Sequence, residues 1–263
     1  MHMLEHHQRA IARVVEKMQA DPDCIAVIVG GSLAHGLGRP DSDVDVMLVL
    51  IEEAFARKQE TGELAMYAPE LADYPGGYVD GKYVSRSFLE AAADHGSEPA
   101  RFAFADALVP WTRDPDLPDL LRRVSAYPEA ERAGKMQGFV AQLQALQWYM
   151  GEAEKWDNPY LRNWVAVRAV LMGYRLILAH NRMLFPYHKW LTTFVQRAPE
   201  KPNDLIALGE ALLAHPSRET CNAFCEAVLQ FREWEMPPKG WPARFMQDSE
   251  LTWLDGRPPL EDA

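Results

Sequence analysis

Two short apolar runs, each joined to groups that do not belong in a hydrophobic core, constrain this chain more than any other part of its sequence. Cys24–Val29 leads directly into Gly30, Gly31 and Ser32, while Val44–Leu50 is entered through Asp43 and interrupted once by Asp45. Both runs have the length and β-branched content of buried strands. Alternate residues of a strand share a face, so Asp43 and Asp45 present two carboxylates on one side. Paired carboxylates of this kind suit one or two hard divalent cations. Gly30 and Gly31 clear side chains from a place where backbone must approach a ligand, and their amides, with the Ser32 hydroxyl, are donors for phosphate oxygens. The joint pattern points to a phosphate cradle beside a metal clamp. Either half alone would read as a glycine-rich turn or an acidic strand cap.

Apolar-Gly-Gly-Ser followed by Asp-apolar-Asp-apolar resembles the signature of the nucleotidyltransferase superfamily that includes DNA polymerase beta and kanamycin nucleotidyltransferase. The loop Gly31-Ser32-Leu33-Ala34-His35-Gly36-Leu37-Gly38-Arg39-Pro40-Asp41-Ser42-Asp43 is also similar to that of small bacterial members. The resemblance runs from about Ile25 to Ser85. It implies an α+β N-terminal nucleotidyltransferase domain, a mixed sheet flanked by helices. The implied reaction moves a nucleoside monophosphate, foremost AMP from ATP, to an acceptor hydroxyl and releases pyrophosphate. Asp43 and Asp45 would then hold Mg2+. Gly30, Gly31 and Ser32 would hold the nucleotide phosphates, with Arg39 a further phosphate contact from the loop. The superfamily adds a third carboxylate from a later strand, for metal binding and acceptor activation. Asp80, in the extended stretch Tyr78–Ser85, is the candidate. Asp80-Gly81 is equally a hairpin-turn signal, and Glu90 or Glu98 is next in line.

With 263 residues, the chain has room for one large or two modest domains. The first is expected over 1–125. It holds helices over Leu4–Ala20, Ile51–Glu60, Phe88–Ala93 and Leu117–Val124, a last strand over Ala107–Trp111, and a mainly irregular Thr61–Gly77 bordering the site. From 126 to 263 the pattern turns helical and predicts an all-α bundle with an irregular tail. Its stripes are Phe139, Leu143, Leu146 and Met150; Trp164, Val167, Leu171, Tyr174 and Leu178; and Cys221, Phe224, Val228 and Phe231. Pro186 fits the first turn of a new helix, which places Lys189 near a helix N-terminus where it would contact a nucleotide phosphate. The tail from Pro237, with Trp241, Pro242, Trp253, Pro258 and Pro259, reads as irregular structure over the surface.

The net charge of −11 disfavours a long nucleic-acid partner and favours a cationic one. The drug-modifying members that the chain resembles, which act on aminoglycosides or lincosamides, share this two-domain plan, so the resemblance implies a small hydroxylated acceptor, an antibiotic of that kind included. The alternatives are a protein adenylyltransferase of the minimal-nucleotidyltransferase type and a non-catalytic nucleotide-binding scaffold. No apolar run approaches the ~18 residues of a membrane span, and the start Met1–His7 lacks a signal-peptide pattern. A cytoplasmic protein without a membrane partner is expected, and a homodimer fits the family plan. Cys24, Cys221 and Cys225 form no disulfide framework and read as small buried hydrophobes.

Overall fold

The structure, a computed structural model, describes residues 3–254 and 256. The chain divides between Ala126 and Tyr127 into two compact units. The first is built on a five-stranded mixed sheet in the order β3-β4-β2-β1-β5. Its strands are β1 (Cys24–Val29), β2 (Val44–Leu50), β3 (Ala65–Ala68), β4 (Val79–Ser85) and β5 (Leu108–Thr112). β2 lies antiparallel to β1 and parallel to β4, and β3 and β5 close the two edges in antiparallel fashion.

Alternation assigns each face of the sheet a separate core. Val27, Val29, Val44, Val46 and Leu48 pack with Ala10, Ile11, Val14 and Met18 of α1 (Glu5–Gln19) and with Ala54 of α3 (Glu52–Thr61). Ala26, Ile28, Met47 and Val49 meet Leu89 and Ala92 of α4 (Arg86–His95) and Leu117, Leu120, Leu121 and Val124 of α6 (Leu117–Val124). Two short helical segments, α2 (Gly31–Ala34) and α5 (Glu98–Phe102), complete the unit. The strand order brings the end of β1, the start of β2, the start of β4 and the end of β3 to one end of the sheet.

Thr61–Gly77 is mainly irregular, as expected, but not throughout. It contains β3 and a single 3-10 turn at Pro69–Leu71. Four residues cannot display a readable alternation, and β3 forms because β4 offers it a hydrogen-bonding edge. Asp80-Gly81 is likewise no hairpin turn: both residues lie within β4, and Gly81 pairs with Val46. A Cβ on Gly81 would sit 2.5 Å from the Val46 carbonyl oxygen, so that glycine serves close strand approach.

The second unit is all helical: α7 (Glu129–Lys155), α8 (Pro159–His180), α9 (Tyr187–Arg197), α10 (Leu205–Ala214), α11 (Arg218–Leu229) and α12 (Gly240–Phe245). Leu143, Leu146, Met150, Cys221, Phe224 and Val228 are buried in one core. Of the stripe expected on α8, Tyr174 and Leu178 are buried and Trp164 and Leu171 pack partly buried against the core, but Val167 does not. Val167 is 58 % exposed, whereas Val165, Ala166, Ala169, Val170, Leu176 and Ile177 are buried. α8 packs against α7, α9, α10 and α11, so its buried surface is wider than a single helical stripe. The tail is also more regular than expected, continuing from α12 into a π-helical turn at Met246–Glu250. Side chains hold it to α7: Arg244, itself paired with Asp248 within the tail, donates to the Gly134 carbonyl, and Gln142 donates to Ser249. Pro258 and Pro259 lie outside the described residues. Among the described residues no helix is long and apolar enough to cross a membrane.

Candidate active site

Strand register assembles the acidic groups. Asp43 precedes β2, Asp45 is its second residue, and the parallel neighbour β4 sets Asp80 directly beside Asp45. One oxygen from each carboxylate lies within 4.8 Å of the other two, and all three residues are half-buried. Like charges this close repel, and a cation among them relieves that repulsion. The donor set, three carboxylates, is the chemistry of a hard divalent ion. Glu90 forms an ion pair with Arg86 at 3.0 Å, and Glu98 is buried on α5. Neither belongs to the cluster.

Gly31 makes room for this arrangement. Its φ is +61°, and a Cβ there would lie 1.7 Å from Oδ2 of Asp45. No L side chain fits without displacing the carboxylate. The Gly30 amide donates to the Asp45 carbonyl at 3.0 Å, tying the end of β1 to the start of β2. Ser32, at the beginning of α2, is buried, and its hydroxyl has no hydrogen-bond partner among the described residues. A buried hydroxyl left in that state is available to a ligand.

Two tyrosines that the sequence reading did not assign support the cluster. The Tyr78 hydroxyl donates to Asp43, and this bond, with the neighbouring charges of Asp43, Asp80 and Asp45, pushes its pKa up to about 12. The only sequence signal for Tyr78 was its position two residues before Asp80, on the same alternation. Tyr74 donates to the Ser42 carbonyl at 2.7 Å, while the Arg39 amide donates to the Ser42 hydroxyl at 2.8 Å. The residue preceding Asp43 is thereby held from both sides. Burial, followed by the charges of Asp43 and Asp73, raises the Tyr74 pKa. The Arg39 side chain is exposed and pairs with Asp41 at 3.3 Å.

Lys189 belongs to the second unit. α9 begins at Tyr187, directly after Pro186, and the exposed Lys189 ammonium lies 5.1 Å from the Trp190 ring centroid. The three buried cysteines are free thiols.

Residues 11–81, the span that contains both strand motifs and all three aspartates, match the family model described as a nucleotidyltransferase domain. A nucleotidyltransferase-like protein from Exiguobacterium sibiricum is among the similar solved structures. It is 16 % identical, with a TM-score of 0.49, over 94 % of this chain and 86 % of that one. No curated protein matches the chain. The match over residues 11–81 identifies a nucleotidyltransferase domain on the N-terminal sheet, and that domain supports a nucleotidyltransferase.

Proposed function

We propose that the protein transfers AMP from ATP to a hydroxyl of a small-molecule acceptor, with release of pyrophosphate. The observation that carries this reading is the convergence of Asp43, Asp45 and Asp80 within 4.8 Å, beside Gly31 and an unsatisfied Ser32 hydroxyl. Asp43, Asp45 and Asp80 would hold Mg2+, which when bound supplies charge neutralisation at the attacking and leaving oxygens. The Gly30 and Gly31 backbone and the Ser32 hydroxyl bind the terminal phosphates of ATP. The acceptor oxygen bonds to the α-phosphorus as the bond from that phosphorus to the bridging oxygen breaks, and pyrophosphate carries away the electron pair. Asp80 accepts the hydroxyl proton. Tyr78 orients Asp43, and Arg39 adds positive charge for the phosphates. Such transfers depend on positioning and electrostatics, which the rigid sheet end provides.

Mass spectrometry of reactions containing ATP, Mg2+, the protein and a panel of aminoglycosides, lincosamides and candidate protein substrates tests the reading. A gain of one AMP on a small molecule is expected. AMP found only on a polypeptide would reassign the acceptor, and binding of ATP without turnover on any acceptor would point to a scaffold.

A further inference from the structure

Tyr67, the third residue of β3, is 69 % exposed. It is the direct cross-strand partner of Asp80. Opposed residues of an antiparallel pair project on the same face, with Cβ atoms ~5 Å apart. Tyr78 stands one alternation before Asp80, and its ring centroid is 5.4 Å from that of Tyr67, with the planes inclined at 45°. Two phenol rings therefore flank the acidic cluster.

Sheet order shows which side of the cluster they occupy. Across the sheet come β1, whose end carries Gly30, Gly31 and Ser32, then β2 with Asp43 and Asp45, then β4 with Asp80, then β3 with Tyr67. In a displacement at phosphorus the attacking and leaving oxygens stand roughly in line. With pyrophosphate leaving toward the β1 end, the attacking hydroxyl arrives from the side of β4 and β3.

We infer that Tyr67 and Tyr78 form the acceptor subsite, where a small compound bearing both a ring and a hydroxyl lays its ring against Tyr67 and delivers the hydroxyl to Asp80. The inference rests on the nucleotidyl-transfer reading above and narrows the acceptor to a ring compound. An exposed phenol face offers stacking to a ring and cation–π attraction to an attached ammonium group, and the adjacent carboxylates favour the same positive charge. Tyr78, held by Asp43, braces Tyr67 from within.

The test uses the full chain with ATP, Mg2+ and the same aminoglycoside and lincosamide panel, comparing wild type with Tyr67→Ala, Tyr67→Thr and Tyr67→Phe. At least one ring compound is expected to gain AMP. Tyr67→Ala should raise its KM roughly tenfold, leaving kcat and the KM for ATP within about twofold. Tyr67→Thr keeps the strand preference at this edge and should show the same KM effect, while Tyr67→Phe should behave as wild type. An unchanged acceptor KM in both the Ala and Thr variants overturns the subsite, as does a rise confined to the KM for ATP, which would assign these rings to the nucleobase. If calorimetry shows Mg2+-dependent ATP binding but no ring compound is modified, the acceptor class is overturned while the nucleotide site stands. Absence of ATP binding to the wild-type protein defeats the underlying reading instead.

Discussion

The acidic end of the sheet and the core of the helical unit obey opposite rules. Around Phe224 the second unit is apolar and closely packed: a Cβ on Gly173 would lie 2.6 Å from the Phe224 ring, and Tyr174 meets that ring edge-on at 5.9 Å between centroids. Close packing of buried apolar side chains is what such a core contributes to stability. At the start of β2, three carboxylates are crowded together, a glycine takes a left-handed conformation, and a buried hydroxyl has no partner among the described residues. That arrangement costs stability and is useful only to a ligand. The difference separates residues that hold the fold together from residues retained for a reaction.

Substitution at the two places should therefore have opposite signatures. On the proposed mechanism, Asp43→Asn should lower AMP transfer on the order of a thousandfold, because the metal clamp would lose one charged ligand. Its melting temperature in the absence of metal should hold or rise, since one repelling charge is gone. Steady-state kinetics and calorimetric melting read both effects, and retained turnover would remove Asp43 from the metal site. Phe224→Ala should do the reverse. Loss of a fully buried ring is expected to destabilise by ~3–5 kcal/mol, measured by denaturant unfolding, with folded protein still binding ATP and Mg2+. A cost under 1 kcal/mol would mean that the core collapses around the gap.

Gly31→Ala tests whether one residue can carry both kinds of penalty. Its Cβ would collide with the Asp45 carboxylate at a positive φ, so transfer should fall about a hundredfold alongside ~1–3 kcal/mol of destabilisation. Equal activity in the alanine variant would show that Asp45 can move without consequence. Tyr78→Phe should have the smallest effect. Without the phenol donor Asp43 loses one orienting bond, and kcat should drop roughly tenfold at limiting Mg2+, recovering in part at high Mg2+. Stability should change little, because the ring itself is retained. No dependence on Mg2+ concentration would show that the hydrogen bond does not orient the carboxylate.

Much of this contrast was legible before the fold. β1 and β2 declared themselves because six or seven apolar residues bounded by Gly-Gly and by Asp have few other uses. α6 appears with the bounds its amphipathic pattern predicts, Leu117–Val124. The expectations that failed share a cause. β3 is an edge strand whose four residues pair with β4, the exposed Val167 lies on a helix packed by several neighbours at once, and the tail is ordered by the bond Arg244 donates to the Gly134 carbonyl of α7 and the bond Gln142 of α7 donates to Ser249. None of these partners is local in sequence.

The chain's order of residues alone determined that two carboxylates face one side beside a glycine pair and a serine, because alternation along a strand is a local property of the backbone. Only the tertiary structure decided the rest of the site. The parallel pairing of β2 with β4 brought Asp80 opposite Asp45 and turned a dipeptide that reads as a hairpin into mid-strand. The antiparallel pairing of β3 then put Tyr67 beside it. Register between strands depends on which apolar faces can be buried together, and that is a property of the whole packed sheet rather than of any one segment.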